Sequence, residues 1–120
     1  MSTIRDISLH SLGRQKIEWV KEFMPVLRTL EKRIAKEKPL RGLRVSVCVH
    51  LEAKTAYLCE VLREAGAAVA VTGSNPLSTK DDVTAALVKN GMEVHAFFGA
   101  SPSEYKEHLR RTLGFCRDAA

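Results

Sequence analysis

Between residues 12 and 24 the apolar side chains Leu12, Ile17, Trp19, Val20, Phe23 and Met24 contain three- and four-residue spacings. That spacing predicts a helix, which Pro25 breaks or restarts because proline lacks a backbone N–H. Val26, Leu27, Leu30 and Ile34 predict the apolar face of a second helix, with Arg28, Glu31, Lys32, Lys36 and Glu37 elsewhere. Lys38-Pro39 ends it, since the residue before proline is pushed out of the α region. After Arg41-Gly42 the period changes. Residues 43–49 form a short β-branched run, and 52–65 read as a helix closed by Gly66. A strand over 67–72, a helix over 81–90 closed by Gly91, and a strand over 93–98 follow. Ser101-Pro102-Ser103-Glu104 opens a last helix, with Ser101 as N-cap, Pro102 at the first helical position and Glu104 completing a capping box.

Strands and helices alternating at this spacing predict right-handed crossovers and a parallel sheet. The strands are continuous apolar runs, as expected when helices cover both sheet faces. The expected fold is α/β: a Rossmann-like three-layer unit with a short parallel sheet and a helical N-terminal extension. In such sheets ligands sit beyond the carboxyl ends of the strands. The segments VHLEAKT, TGSNPLSTKDD and FGASPS fall at that edge.

At 120 residues, 45% hydrophobic and 28% charged, the chain is the size and composition of one globular domain. Its net charge of +5 is scattered rather than interleaved with aromatics, which predicts a solvated surface and not nucleic-acid binding. Cys48, Cys59 and Cys116 form no CxxC or Cys/His metal pattern and are expected to be reduced, buried thiols. There is no apolar signal core and no run of ~18 apolar residues, so a soluble, cytoplasmic protein without membrane contact is expected.

His50 follows the first strand directly. It either caps a sheet edge or carries protons for a ligand, since histidine titrates near neutrality. Glu52 and Lys54 are either first-turn helix residues or ligand contacts. At i, i+2 they do not share a helix face, and a first-turn lysine gains nothing from the helix dipole. Thr55 adds a hydroxyl. In the second loop Asn75, Ser78 and Thr79 are either ligand contacts or, for Ser78 and Thr79, an N-cap of the next helix. His10, His95 and His108 share no such position with other polar groups, so a histidine metal site is not expected. No GxGxxG, GxxxxGK[ST] or GxSxG occurs, so the chain shows no dinucleotide or triphosphate cradle and no nucleophile elbow.

The KPL-G segment, the VHLEAKTA junction, the GA-V strand entry and the SNPLST-DD loop occur in an order that closely resembles the N-terminal substrate domain of S-adenosylhomocysteine hydrolases. WVKEFMPVL resembles the family's helical lead-in. The likeness covers roughly residues 9–113. It implies a cytoplasmic methyl-cycle enzyme that reversibly splits S-adenosylhomocysteine into adenosine and homocysteine. In the family NAD oxidises the ribose 3′-hydroxyl, which acidifies the 4′-proton. Homocysteine is eliminated, water adds, and the ketone is re-reduced. By the same resemblance His50 matches the proton-transfer histidine, Glu52 and Lys54 line the base site, and Thr55 follows them. Asn75, Ser78 and Thr79 match the polar loop beside substrate.

The chain also departs from the pattern. Many members have HxTxE where this chain has His50-x-Glu52-x-Lys54, resembling an archaeal and thermophilic branch. A carboxylate accepts from adenine's amine, whereas a lysine only donates and suits the 6-oxo group of hypoxanthine. S-inosylhomocysteine is therefore the expected alternative substrate, while Glu52 accepting from adenine would preserve the ordinary one. Lys80 stands where glutamine is frequent. Residues 1–113 are read as the substrate-binding domain and 114–120 as a divergent tail in which Asp118 takes no catalytic role. The family's later catalytic segments and NAD domain are not found. The expectation is a partial or truncated enzyme, inactive and without bound NAD alone. Two other readings stand beside it: a non-catalytic module for a purine nucleoside or its thioether, and a homo-oligomer formed through an exposed sheet edge.

Overall fold

The computed structural model describes residues 1–117. Two helices lead in, α1 (His10–Lys21) after a 3-10 turn at Ile7–Leu9, and α2 (Pro25–Glu37). Pro25 occupies the first turn of α2, so its missing N–H costs that helix nothing. Lys38, before Pro39, adopts the left-handed region at φ 49° and stops α2 there. The strands and crossovers then alternate: β1 (Arg44–Val49), α3 (Ala53–Glu64), β2 (Ala68–Gly73), α4 (Asp81–Lys89), β3 (Glu93–Val94) and α5 (Pro102–Arg117). The sheet is parallel in the order β1-β2-β3, as the alternation predicted. Helix α5 runs through residues 113–117 unbroken; residues 118–120 of the expected tail lie outside the described residues.

Pleating separates two unlike faces. Val45 and Val47 of β1 and Val69 and Val71 of β2 join the apolar core with Tyr57, Val61, Val83 and Leu87 of α3 and α4. Helix α1 lies over α3 and α4 and adds Ile17 and Val20. Ser46, between Val45 and Val47, faces the other way and donates from Oγ to the Thr112 carbonyl of α5 at 2.6 Å. So α5 covers the opposite sheet face, and its buried residues are His108 and Thr112. Three layers result, as expected. Within the helices on the valine face, the buried Glu60 carboxylate of α3 accepts from Arg14 of α1 and from the Asn90 side chain after α4.

The structure corrects several expectations. The third strand spans only Glu93–Val94 rather than 93–98. Beyond it the chain pairs with the N-terminus, with Thr3 bridging His95, and then turns away. Leu12 and Trp19 of α1, Phe23 of the turn after it and Val26 of α2 are exposed, because neighbours cover only the Ile17–Val20 side of α1. The first strand is an edge strand, with Cys48 and Val49 exposed, so its apolar run does not report burial on all sides. Of the thiols only Cys59 is buried; burial, reinforced by Glu60, pushes it up to about 12. Cys48 is exposed and Cys116 half-buried against β1.

Candidate functional site

The strand register sets the site. Val49 pairs with Gly73, so the loops leaving β1 and β2 start side by side. The Ser74 N–H donates to the Val49 carbonyl at 3.0 Å, and the Lys80 N–H to the Leu51 carbonyl at 3.1 Å. Leu51, fully buried between two exposed polar residues, anchors the first junction in the core. Its side chain fixes His50 on one side and Glu52 on the other. The third loop joins through Gly99 N–H to the Pro76 carbonyl at 3.2 Å, and α5 joins through Tyr105 Oη to the Ser74 carbonyl at 3.0 Å.

Within this frame His50 Nδ1 lies 2.7 Å from Ser78 Oγ. The Asn75 side chain caps the 3-10 turn Pro76–Ser78 by accepting from the Leu77 N–H at 2.8 Å. The Asn75 carbonyl accepts from Ser78 Oγ at 3.0 Å and more weakly from Thr79 Oγ1 at 3.4 Å. Thr79 is buried under Gly73, where an added Cβ would stand 2.7 Å from its hydroxyl. Neither Ser78 nor Thr79 caps α4, whose N-cap residue is Lys80; the capping alternative is thereby corrected. Glu52 is the N-cap residue of α3 in extended conformation, but its carboxylate does not bond the helix. Among the described residues neither Glu52 nor Lys54 has a side-chain hydrogen bond or an ion pair, and both are exposed. Thr55 is half-buried in the same first turn.

The structure thus joins His50 to Ser78 and, through the loop, to Asn75. It leaves Glu52 and Lys54 as exposed polar groups at the start of α3 and turns the Thr79 hydroxyl inward. A groove of about 730 Å³ runs along α1 to the starts of α3 and α4, lined by Leu12, Trp19, Val20 and Ala53 and flanked by the Lys16–Asp82 ion pair. That volume falls in the range of small-molecule sites. Sequence reasoning missed Leu51 and the groove. A single apolar residue inside a polar junction was the available signal for the first; exposure of Trp19 left none for the second.

Among the described residues no group of three or more His, Cys, Asp or Glu side chains is placed to hold a metal, and no helix is long and apolar enough to cross a membrane. Away from the site, His95 is buried, with Nδ1 3.1 Å from Thr3 Oγ1 and Nε2 3.0 Å from Glu93 Oε2. Periodicity could not show that polar pairing.

A parallel α/β unit whose carboxyl edge carries His50 bonded to Ser78, with exposed Glu52 and Lys54 at the start of α3, has polar groups where open sheets of this class place their ligand sites. The sequence profile of S-adenosyl-L-homocysteine hydrolase matches residues 1–120, and the chain belongs to that family. It is 50% identical over 113 residues to an S-inosyl-L-homocysteine hydrolase of Methanocaldococcus jannaschii, covering 94% of this chain and 27% of that protein. A protein of the same name from Methanopyrus kandleri is 51% identical over 110 residues, 92% of this chain and 26% of its own length. An adenosylhomocysteinase of Pyrococcus abyssi is 46% identical over 110 residues, with the same shares. The chain therefore spans about a quarter of the length of these relatives.

Proposed function

We propose that this chain holds the purine nucleoside of a homocysteine thioether, with hypoxanthine the preferred base, as one lobe of a thioether hydrolase. The observation that carries the reading is the unpaired Lys54 ammonium in the first turn of α3, four residues after the His50 that meets Ser78. A lysine donates only, and hypoxanthine presents a 6-oxo acceptor where adenine presents an amine. The relatives named for the inosyl and the adenosyl thioether stand at 50% and 46% identity, so overall likeness does not choose between the bases.

In this reading Lys54 donates to the base oxygen and Glu52 accepts from a ring N–H. Thr55 and Asn75 support the bound nucleoside, and Thr79 supports the loop that meets it. His50 takes and returns a proton beside the departing 5′ sulfur. NAD, which the family resemblance implies, does not fit here. The first strand-to-helix turn carries buried Leu51 and the Glu52 carboxylate where a pyrophosphate needs glycines and open N–H groups. No step is assigned to NAD in this chain. The proposal places redox chemistry in the part of the relatives' length that this chain does not span, in a cytoplasmic enzyme, and expects no turnover from this chain alone.

Isothermal titration with inosine, adenosine and their homocysteine thioethers tests the reading. Binding at about millimolar Kd is expected, because contacts worth about 1.5–3 kcal/mol each are missing from the other wall of the cleft. The inosyl compounds should bind about tenfold tighter, and Lys54→Glu should reverse the order. Tighter adenosyl binding by the unmodified chain would remove the preference, and no binding of any of the four would remove the nucleoside role.

A further inference from the structure

We infer that Ser78 is a positioning residue: it holds neutral His50 as the Nδ1–H tautomer and leaves Nε2 as the nitrogen that exchanges protons. The imidazole sits on the β1 junction and the hydroxyl on the β2 loop, 28 residues away in the chain, with 2.7 Å between Nδ1 and Oγ. A serine hydroxyl has one proton and two lone pairs. The Asn75 carbonyl lies 3.0 Å from Ser78 Oγ and takes that proton. The same carbonyl accepts the Ser78 N–H at 3.1 Å and Thr79 Oγ1 at 3.4 Å, so the turn is closed on itself whatever the imidazole does. With that proton directed to the carbonyl, Ser78 Oγ presents a lone pair to His50 and Nδ1 carries the hydrogen between them. Nε2 has no partner among the described residues.

The arrangement suits a group that gains and loses protons. When Nε2 is protonated both ring nitrogens donate, and Nδ1 still donates to the same oxygen. Neither the hydroxyl nor the ring has to turn between the two states. The opposite tautomer would require Ser78 to flip its proton each time the imidazole charged. Preorganised partners that need no rearrangement are what proton transfer at a fixed atom favours. Leu51 and the Lys80–Leu51 backbone bond hold the two loops in place, so the pair is set by the scaffold rather than by a ligand. Its catalytic consequence rests on the proton-transfer role proposed above for His50; the tautomer itself does not.

Long-range proton–nitrogen NMR of the 120-residue chain, at about pH 8.5 where a reference imidazole is neutral, reads the tautomer directly. His50 should show a pyrrole-type Nδ1 and a pyridine-type Nε2. Ser78→Ala should lose that pattern and move His50 to the Nε2–H form, with the amide spectrum otherwise retained. Ser78→Thr, which keeps a hydroxyl, should preserve the Nδ1–H form and serves if the alanine variant does not fold. An Nε2–H imidazole in the unmodified chain overturns the inference. So does an Nδ1–H form that survives in a folded Ser78→Ala. The readout involves no nucleoside, so a failure of binding in the titrations and a failure here are separate results.

Discussion

At the residue scale, single positions matter most where backbones meet. Gly13 lies in α1 where it crosses α4, and a Cβ placed there would stand 1.9 Å from the Asp82 carbonyl oxygen. That neighbour is backbone at the start of a helix and has little room to yield. Gly13→Ala should therefore lower stability by about 2–3 kcal/mol, seen as a lower urea midpoint with an unchanged slope. An unchanged midpoint would mean that the two helices separate easily. The sequence marked Gly13 no more than any other glycine, because a helical glycine declares its reason only when the crossing helix is known. His50 was different. Its place directly after a β-branched run made its strand-end position readable, while its partner Ser78 was readable only as a loop hydroxyl with several possible uses.

At the element scale, the long elements and their punctuation were legible. Ser101 and Glu104 form the expected reciprocal cap, with Glu104 N–H to Ser101 Oγ at 3.2 Å and Ser101 N–H to Glu104 Oε1 at 2.9 Å. Gly66 and Gly91 take positive φ after α3 and α4, as their placement implied. The state of β1 was not legible, since an apolar run looks the same in a central strand and at an edge. The Leu43 and Val49 carbonyls point to β2, so the intervening N–H and C=O groups of Ser46 and Cys48 face outward. Residues 45–49 carry no charge, proline or bulge to discourage pairing of that edge. If the chain self-associates through β1, light scattering should show a mass rising above 13.3 kDa with concentration. Cys48→Pro, which removes one outward N–H, should hold it at the monomer value. A constant monomer mass for the unmodified chain would dismiss the self-associating reading.

At the scale of the whole molecule, the two sheet faces respond differently to acid. The valine face packs against apolar side chains of α3 and α4, whereas the α5 face holds His108 against the Phe97 ring, centroids 4.9 Å apart. Burial holds its pKa below 6.5, helped by His95 and by Arg111 and opposed by Glu104 and Glu107. A base whose folded pKa is lowered binds fewer protons when folded than when unfolded. Its stabilising contribution is complete above 6.5 and is lost as pH falls from there toward the folded value. The urea midpoint should thus drop as pH falls below about 6.5, and His108→Gln should lessen the drop. Equal drops in the two proteins would show that His108 charges as easily folded as unfolded.

By itself the sequence determined the alternation of elements, their caps and stops, the parallel sheet and the family, because each follows from local periodicity or from motifs in order. It also located the junction that bears His50, Glu52 and Lys54. Tertiary structure alone decided that Val49 stands opposite Gly73, that Ser78 thereby meets His50, and that the Thr79 hydroxyl turns inward. It likewise decided that Trp19 stays exposed and that β1 is an edge. The physical reason is the same in each case. A pattern along the chain shows which side of an element is apolar, whereas the neighbour that covers it, or accepts its proton, is fixed by register and packing between segments far apart in sequence.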